Sequence, residues 1–383
     1  MKSLELFSGV GGMALGLEAA GFKHLDLVES DEFCVATLNR NIRKGLLLSN
    51  GMAASCVDIH DYDFRPLEDQ LWLLSGGPPC QPFSLGGSHR AALDPRNMFP
   101  QALRAVREAR PKAFLFENVP GLLRPRFRNY FEYLRLCLSF PEISELVGET
   151  WEEHHRRLER YQTSSVGSGC GYRVISQLIN VADFGVPQRR SRVFLVGIRD
   201  DLKIGWSFPS PTHSHAALNI HKLSGEYYDR HRIKPPEMDA NQLIRQENKF
   251  LDPELLPWVT LRDALSDLPD PEMPGENNHI EGHEFKPGAR IYKGHTGSDL
   301  DLPSKTLKAG VNGVPGGENM LVKDCGSVRY LTIRECARVQ TFPDNYSFHE
   351  IWSRAVRQLG NAVPMKIATI LGMSLKKALI SRT

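Results

Sequence analysis

The chain has no Cys-x-x-Cys pair among its seven cysteines and no apolar run approaching membrane-spanning length. An odd number of cysteines without paired spacing excludes a disulfide framework and reads as free thiols in a reducing cytosol. His213 and His215 lack further ligands nearby, so no structural zinc is expected. The missing apolar run argues against a membrane-spanning protein, and Met1-Lys2-Ser3-Leu4 runs straight into a strand pattern, leaving no signal peptide. Charge of one sign is also lacking: 47 Lys and Arg against 45 Asp and Glu leave +2. No whole-molecule field therefore attracts a polyanion, and any basic surface has to be local. Arg124, Arg126 and Arg128, with Arg189, Arg190 and Arg192, are the candidates. What remains is the composition of an ordinary globular protein, long enough at 383 residues for one large and one modest domain.

The most constrained stretch is Ser75-Gly76-Gly77-Pro78-Pro79-Cys80-Gln81-Pro82-Phe83-Ser84. The apolar run Leu71 to Leu74 reads as a buried strand that stops at two glycines and two prolines. Each proline fixes its own φ and holds the preceding residue extended, so Cys80 is presented on a stiff loop at a strand's carboxyl end. That is where an α/β sheet places a nucleophile; the competing reading is a structural cysteine between turns.

Strand patterns recur at Leu4 to Phe7, Leu25 to Glu29, Ser55 to Ile59, Leu71 to Leu74 and Ala113 to Phe116, with helical intervals Met13 to Ala20, Phe33 to Asn39 and Met98 to Glu108. Such alternation predicts a parallel sheet covered on both faces. Tyr172 to Leu178 and Arg192 to Ile198 are joined too closely for a parallel crossover, which predicts an antiparallel pair. Trp151 to Arg157 reads as an exposed helix whose charges are solvated. Residues 206 to 325 are rich in Pro, Gly, His and Asn, the mark of a loop-rich second domain. Thr332 with Glu335 predicts a capping box, and the last helix is expected from Val363 to Ile380.

Phe7-Ser8-Gly9-Val10-Gly11-Gly12 follows the first strand, where glycines let the backbone approach a ligand and a helix N-terminus supplies unpaired N–H groups. Glu29, about 20 residues on, stands where a ribose-binding carboxylate belongs. Gly9-x-Gly11-x-x-Ala14 also satisfies the dinucleotide fingerprint, so these residues alone do not separate a nicotinamide cofactor from S-adenosylmethionine. Asp58-Ile59 suits an adenine contact or, for Asp58, a turn cap.

Taken in chain order, these motifs resemble the DNA cytosine-5 methyltransferases of bacterial restriction–modification systems. Phe7 to Gly12 is similar to that family's cofactor loop, Glu29 to its ribose carboxylate, Asp58-Ile59 to its adenine contacts, and Pro79-Cys80 to its nucleophile. Glu117-Asn118-Val119, Gln188-Arg189-Arg190-Ser191-Arg192, Arg329-x-Leu331-Thr332-x-Arg334-Glu335 with Gln340-Thr341-Phe342-Pro343, and Gly360-Asn361-Ala362-Val363-Pro364 are similar to its later blocks. The resemblance implies a Rossmann-like α/β methyltransferase sheet, mostly parallel with one antiparallel strand, in residues 1–205 and 352–383. It implies a smaller loop-rich target-recognition domain in residues 206–351.

By the same resemblance Cys80, Glu117, Arg190 and Arg192 are catalytic. Phe7, Ser8, Gly9, Gly11, Gly12, Met13, Glu29, Ser30, Asp58, Ile59, Pro79, Asn361 and Val363 bind S-adenosylmethionine. Gln81, Ser84, Asn118, Lys305, Thr306 and Lys308 meet double-stranded DNA, with no metal. Carbon 5 of cytosine is a poor nucleophile, so a thiolate first adds to carbon 6 while a carboxylic acid supports N3; for Glu117 the plainer reading is a buried carboxylate paired with an arginine. The base has to be flipped out of the duplex to be reached. A cytoplasmic bacterial monomer is expected, with a cognate restriction endonuclease as genetic partner; an orphan regulatory methylase is the alternative. A dehydrogenase gives no role to Pro79-Cys80 or Glu117. The transfer-RNA branch carries a Cys-Phe-Thr tripeptide that is not found here.

Overall fold

The computed structural model describes residues 1–47, 51–79, 97–164, 171–235, 254–273, 275, 279–310 and 319–381. Two compact units divide it: Met1–Ile179, Ser191–Phe208 and Thr369–Thr383 form the first, Asn180–Arg190 and Pro209–Ala368 the second. The sequence expectation puts the divisions at 205/206, from the composition shift, and at 351/352, from the resemblance. By contacts, 180–190 and 352–368 group with the second unit instead. The reason is local: Gln188 and Arg190 turn their side chains onto Gln340 and Gly360, and the helix Trp352–Asn361 packs on the helix Ile333–Val339.

The first unit follows the alternating pattern closely. Its elements are β1 (Lys2–Leu6), α1 (Gly12–Ala19), β2 (Lys23–Glu29), α2 (Glu32–Arg43), β3 (Ser55–Cys56), β4 (Leu73–Gly76), α3 (Phe99–Ala109), β5 (Ala113–Asn118), α4 (Arg128–Ser139), α5 (Trp151–Thr163) and β6 (Tyr172–Asn180). After β7 (Gln188–Arg189), which belongs to the second unit, β8 (Ser191–Arg199) completes the sheet. Strand order is β3-β2-β1-β4-β5-β8-β6; β1 pairs parallel with β2 and β4, β4 parallel with β5, and β5 antiparallel with β8. Strands β4 and β5 are buried along their whole length, which is why they read as unbroken apolar runs. The chain departs from β1 in one direction to β2 and β3, then returns to β4 on β1's other side. The carboxyl ends of β1 and β4 therefore flank a topological switch point.

Two expectations need correction here. The third strand is only Ser55–Cys56, because Asp58 turns the chain into the 3-10 turn Ile59–Asp61 by accepting from the His60 amide. And α5 is not simply a solvated face: His154 and Leu158 are buried, and Trp151 meets Tyr130 and Tyr133 at ring separations of 5.5 Å. A charge run on a helix conceals one apolar stripe when that stripe is two residues wide.

The second unit is built from short pieces. Ser304–Lys305 pairs parallel with β7, and Met320–Val322 lies between Ser298–Asp299 and Val328–Tyr330. Polar side chains carry the load that long strands carry in the first unit. Arg329 forms a two-pronged pair with Glu335 at 2.6 and 2.7 Å, and Glu335 also accepts from the Thr332 amide, completing the predicted capping box. The buried Gln188 amide accepts from Leu307 N and donates to Gln340. The final helix, Met365–Ile380, begins after Pro364 and two residues later than predicted. Among the described residues no helix is long and apolar enough to cross a membrane.

Candidate active site

Strand register brings the predicted residues of the first unit into one row. Leu6 is level with Val28 on one side and Gly76 on the other, and Gly76 is level with Phe116. One residue further come Phe7 just past β1, Glu29 at the end of β2, Gly77 just past β4 and Glu117 within β5.

At its cofactor-loop end the backbone is unusual. Phe7, Gly9 and Gly11 have φ of 54°, 53° and 78°. Left-handed backbone is costly for a bulky residue such as Phe7 and marks a site held for function. Glu29 fixes the loop: one carboxylate oxygen accepts from Gly9 N at 2.8 Å, the other from Ser30 N at 2.8 Å and Asp31 N at 2.9 Å. Ser8 Oγ donates to the Glu5 carbonyl. The first turn of α1 has neither a side-chain cap nor an acidic residue, so its N–H groups are left for an anion, and Gly12 and Met13 are buried beneath it. Space beside Gly9 is open, with nothing within 4 Å of where a Cβ would stand. A carboxylate for hydroxyl groups, free helix N–H groups and open space beside the glycine together fit a nucleoside bearing an amino-acid tail.

Asp58 is exposed and held below the usual carboxylate range, first by the His60 amide and then by the His60 ring. The turn reading is thus realised, while Ile59 is buried behind it. Arg104 on α3 holds this turn from below, donating to the Ile59 carbonyl at 2.6 Å and the Tyr62 carbonyl at 3.0 Å. Arg104 has no sequence signal beyond an ordinary i,i+4 pair with Glu108.

At the other end of the row, Glu117 is 8% exposed and its Oε1 lies 2.7 Å from Arg192 Nε. The arginine reading and the catalytic reading of Glu117 therefore coincide, since the partner is itself a predicted site residue. The approach is an ion contact rather than a well-directed hydrogen bond, leaving Glu117 Oε1 without a hydrogen-bond donor. Oε2 lies 3.4 Å from where a Cβ on Gly77 would stand, so Gly77 keeps the carboxylate clear. Gly77 was a second missed residue, legible only as one glycine of the stop after Leu74. The Asn118 amide donates to the Pro78 carbonyl at 3.0 Å while its oxygen accepts from Val119 N at 2.9 Å, so its side chain is engaged in holding the loop. The Pro79 carbonyl accepts from Met98 N at 3.0 Å, so both stems of the segment carrying the predicted nucleophile are tied down. Cys80, Gln81 and Ser84 themselves lie outside the described residues.

The remaining predicted residues sit in the second unit. Arg190 is corrected: it is 1% exposed and donates through both terminal nitrogens to the Gly360 carbonyl at 3.0 Å, which makes it a packing residue. Gly360 is required there, because a Cβ would come within 2.5 Å of the Ala309 backbone nitrogen. Asn361 is exposed and Val363 buried. Thr306 donates to the Arg189 carbonyl, Lys305 Nζ to Thr296, and Lys308 is exposed. Among the described residues no group of three or more His, Cys, Asp or Glu side chains could hold a metal.

Residues 1–139 and 154–377 match the C-5 cytosine-specific DNA methylase family. The Type II methyltransferase M.PspPI of Psychrobacter sp. is 31% identical over 98% of this chain and 79% of its own length. The Type II methyltransferase M.MthTI of Methanothermobacter thermautotrophicus is 29% identical over 99% of this chain and 98% of its own. The solved structure of an S. pombe Dnmt2 methyltransferase superposes with a TM-score of 0.56 at 20% identity, covering 99% of each chain, which supports the fold. With nearly its whole length matched, the chain belongs to the C-5 cytosine-specific DNA methylase family and is a methyltransferase that modifies DNA.

Proposed function

We propose that this enzyme moves a methyl group from S-adenosylmethionine to carbon 5 of a flipped-out cytosine in a short duplex site, through a covalent Cys80 adduct, protecting host DNA within the cytoplasm of a restriction–modification system. One observation carries the reading: Leu6, Val28, Gly76 and Phe116 are level on adjacent strands, so that Phe7, Glu29, Gly77 and Glu117 each come one residue later in the chain, and two prolines follow Gly77 before Cys80.

The Phe7–Met13 loop, Glu29 with Ser30, Asp58-Ile59 and Pro79 would hold the methyl donor, and Asn361 and Val363 are carried over from the resemblance. Adenosylmethionine, bound there, supplies an electrophilic sulfonium methyl. The protein's task is to make C5 nucleophilic. Cys80 thiolate adds to C6 of the cytosine, driving electron density toward N3 and C5. The Glu117 carboxyl group supports N3 by a proton or hydrogen bond as charge develops there, and Arg192 holds Glu117 in place while its remaining N–H groups address the base O2. After methyl transfer the C5 proton is lost and the C6–S bond breaks, returning Cys80. Adducts of this kind need the base outside the helix, where unstacking costs a few kcal/mol. Site choice is assigned to residues 286–322 of the second unit, with Lys305 and Lys308 on phosphates and Thr306 nearby.

Duplex DNA carrying 5-fluorocytosine tests the reading, because fluorine at C5 does not leave as a proton does. Wild-type enzyme with adenosylmethionine should stay attached to such DNA, and Cys80→Ser should not. Equal trapping of both proteins would remove Cys80 from the mechanism.

A further inference from the structure

The segment between β5 and α4 has a charge distribution that the catalytic row does not explain. From 118 to 131 the sequence contains Arg124, Arg126 and Arg128 and no Asp or Glu. The flanking acids are already paired: Glu117 with Arg192 at 2.7 Å, and Glu132 with Arg135 at 2.9 Å. Other arginines of this unit find local carboxylates, as Arg104 does with Glu108 and Arg110 with Glu68. Among the described residues none of the three guanidinium groups has an acidic partner. Arg126 lies 4.5 Å over the Phe127 ring, which orients it without neutralising it. Three uncompensated charges in five residues exceed the +2 of the whole chain.

Their backbone is rigid. Pro120–Leu123 and Pro125–Phe127 are successive 3-10 turns, closed by Arg124 N to Gly121 O at 3.2 Å and Phe127 N to Arg124 O at 2.8 Å. Leu122 and Phe127 are buried in the core cluster of the sheet, while Arg126 and Arg128 are exposed and Arg124 is half-exposed. A solvated charge run gains nothing from such anchoring. A surface that must present like charges close together does, because the cost of ordering them is met before the ligand arrives.

We propose that Arg124, Arg126 and Arg128 form a strip that grips the phosphate backbone of duplex DNA, independently of sequence, beside the strand that carries Glu117. This rests on the DNA-methylating reading above and adds a binding surface to it. Phosphate contacts position a protein on the duplex, and each releases condensed counterions, so the strip has a readout of its own.

The test is binding of a mixed-sequence duplex across a salt series, using the full chain. Each lost phosphate contact lowers the slope of log K against log salt by about 0.9. The triple Arg→Gln variant should be shallower by about 2.7, losing roughly 40-fold less affinity than wild type over a fourfold rise in salt. The triple Arg→Lys variant should keep most of the slope, and adenosylmethionine binding should be the same in all three. An unchanged slope in the triple Arg→Gln protein overturns the strip and leaves a solvated face. Should that variant fail to bind adenosylmethionine, Arg126→Gln alone decides, with a drop of about 0.9 supporting the strip and none overturning it. Wild-type protein that methylates DNA while the variants share its slope sinks the strip alone. Wild-type protein that neither binds nor methylates duplex sinks both.

Discussion

The two units treat buried charge in opposite ways. In the second, buried arginines meet carboxylates or carbonyls: Arg329 meets Glu335, Arg334 the carbonyls of Glu281, Pro343 and Tyr346, and Arg190, through its two terminal nitrogens, that of Gly360. In the first, Glu5 and His24 are buried on neighbouring strands with only neutral partners, Ser75 for the one and Ser3 with the Ala14 carbonyl for the other. Its ion pair of Glu117 with Arg192, the most enclosed in that unit among the described residues, is poorly directed. The difference follows from backbone accounting. Strand carbonyls and amides are used up in ladders, so a side chain buried in the sheet finds few ionic partners, whereas loops offer carbonyls freely. A saturated pair has no capacity left for a substrate; an unsaturated one at the sheet edge does.

The comparison would be broken most directly at its two carboxylates. Glu117→Gln should slow single-turnover methyl transfer by about 10²–10⁴ while adenosylmethionine binding, followed by calorimetry, stays intact. Glu335→Gln should act the other way, as a folding defect. It strands the Arg329 charge in the interior at a cost of about 3–5 kcal/mol, read from urea unfolding. If Glu335→Gln instead left stability untouched, the second unit's pairs would not be its scaffold.

Next comes pH. Burial pushes the His24 ring down to about 4, against an ordinary value near 6.5. A depressed histidine leaves the folded state neutral while the unfolded chain takes up a proton, so stability is lost as pH falls from about 6.5 toward 4, in total on the order of 3 kcal/mol. Burial pushes Glu5 up to about 8, which gives the reverse sign: the folded state keeps a proton that the unfolded chain releases, and stability is lost as pH rises from about 4.5 to 8. Melting of Glu5→Gln against wild type should show the variant gaining relative stability steadily across that range. Parallel pH profiles would mean that Glu5 is ionised in the fold.

The smallest effect belongs to α5, whose capping box joins Thr150 and Glu153 at the edge of residues 140–153, the internal gap in the family match. Thr150→Ala should cost about 1 kcal/mol in thermal unfolding and leave methyl transfer unchanged. A loss of activity would tie this helix to the reaction.

Legibility in the sequence tracked how local the deciding interaction is. The Thr332–Glu335 box was legible because both its hydrogen bonds span three residues. β4 and β5 were legible because burial on both faces forces an apolar run. Ser55–Cys56 was over-extended, since Asp58 competes for the backbone with a cap that periodicity does not register. Arg190 reads as catalytic by resemblance alone; its partner, Gly360, lies 170 positions away. The bond of the Asn118 amide to the Pro78 carbonyl spans 40 positions, beyond the reach of any local pattern.

By itself the sequence determined which chemistry is present: a cysteine stiffened by prolines, a carboxylate after an apolar strand, and glycines before a helix, each set by steric rules acting over a few residues. It also determined the sheet, because strand and helix periods leave a covered parallel arrangement as the way to bury those runs. Tertiary structure alone decided which charges stay available. Whether an arginine meets a carboxylate, a distant carbonyl or water depends on partners that the fold brings together across 70 to 170 positions. So Arg192 ends on Glu117, Arg190 on Gly360, and Arg126 on neither. The reason is energetic: a buried charge is tolerated only with a partner, and long-range packing determines where partners are found.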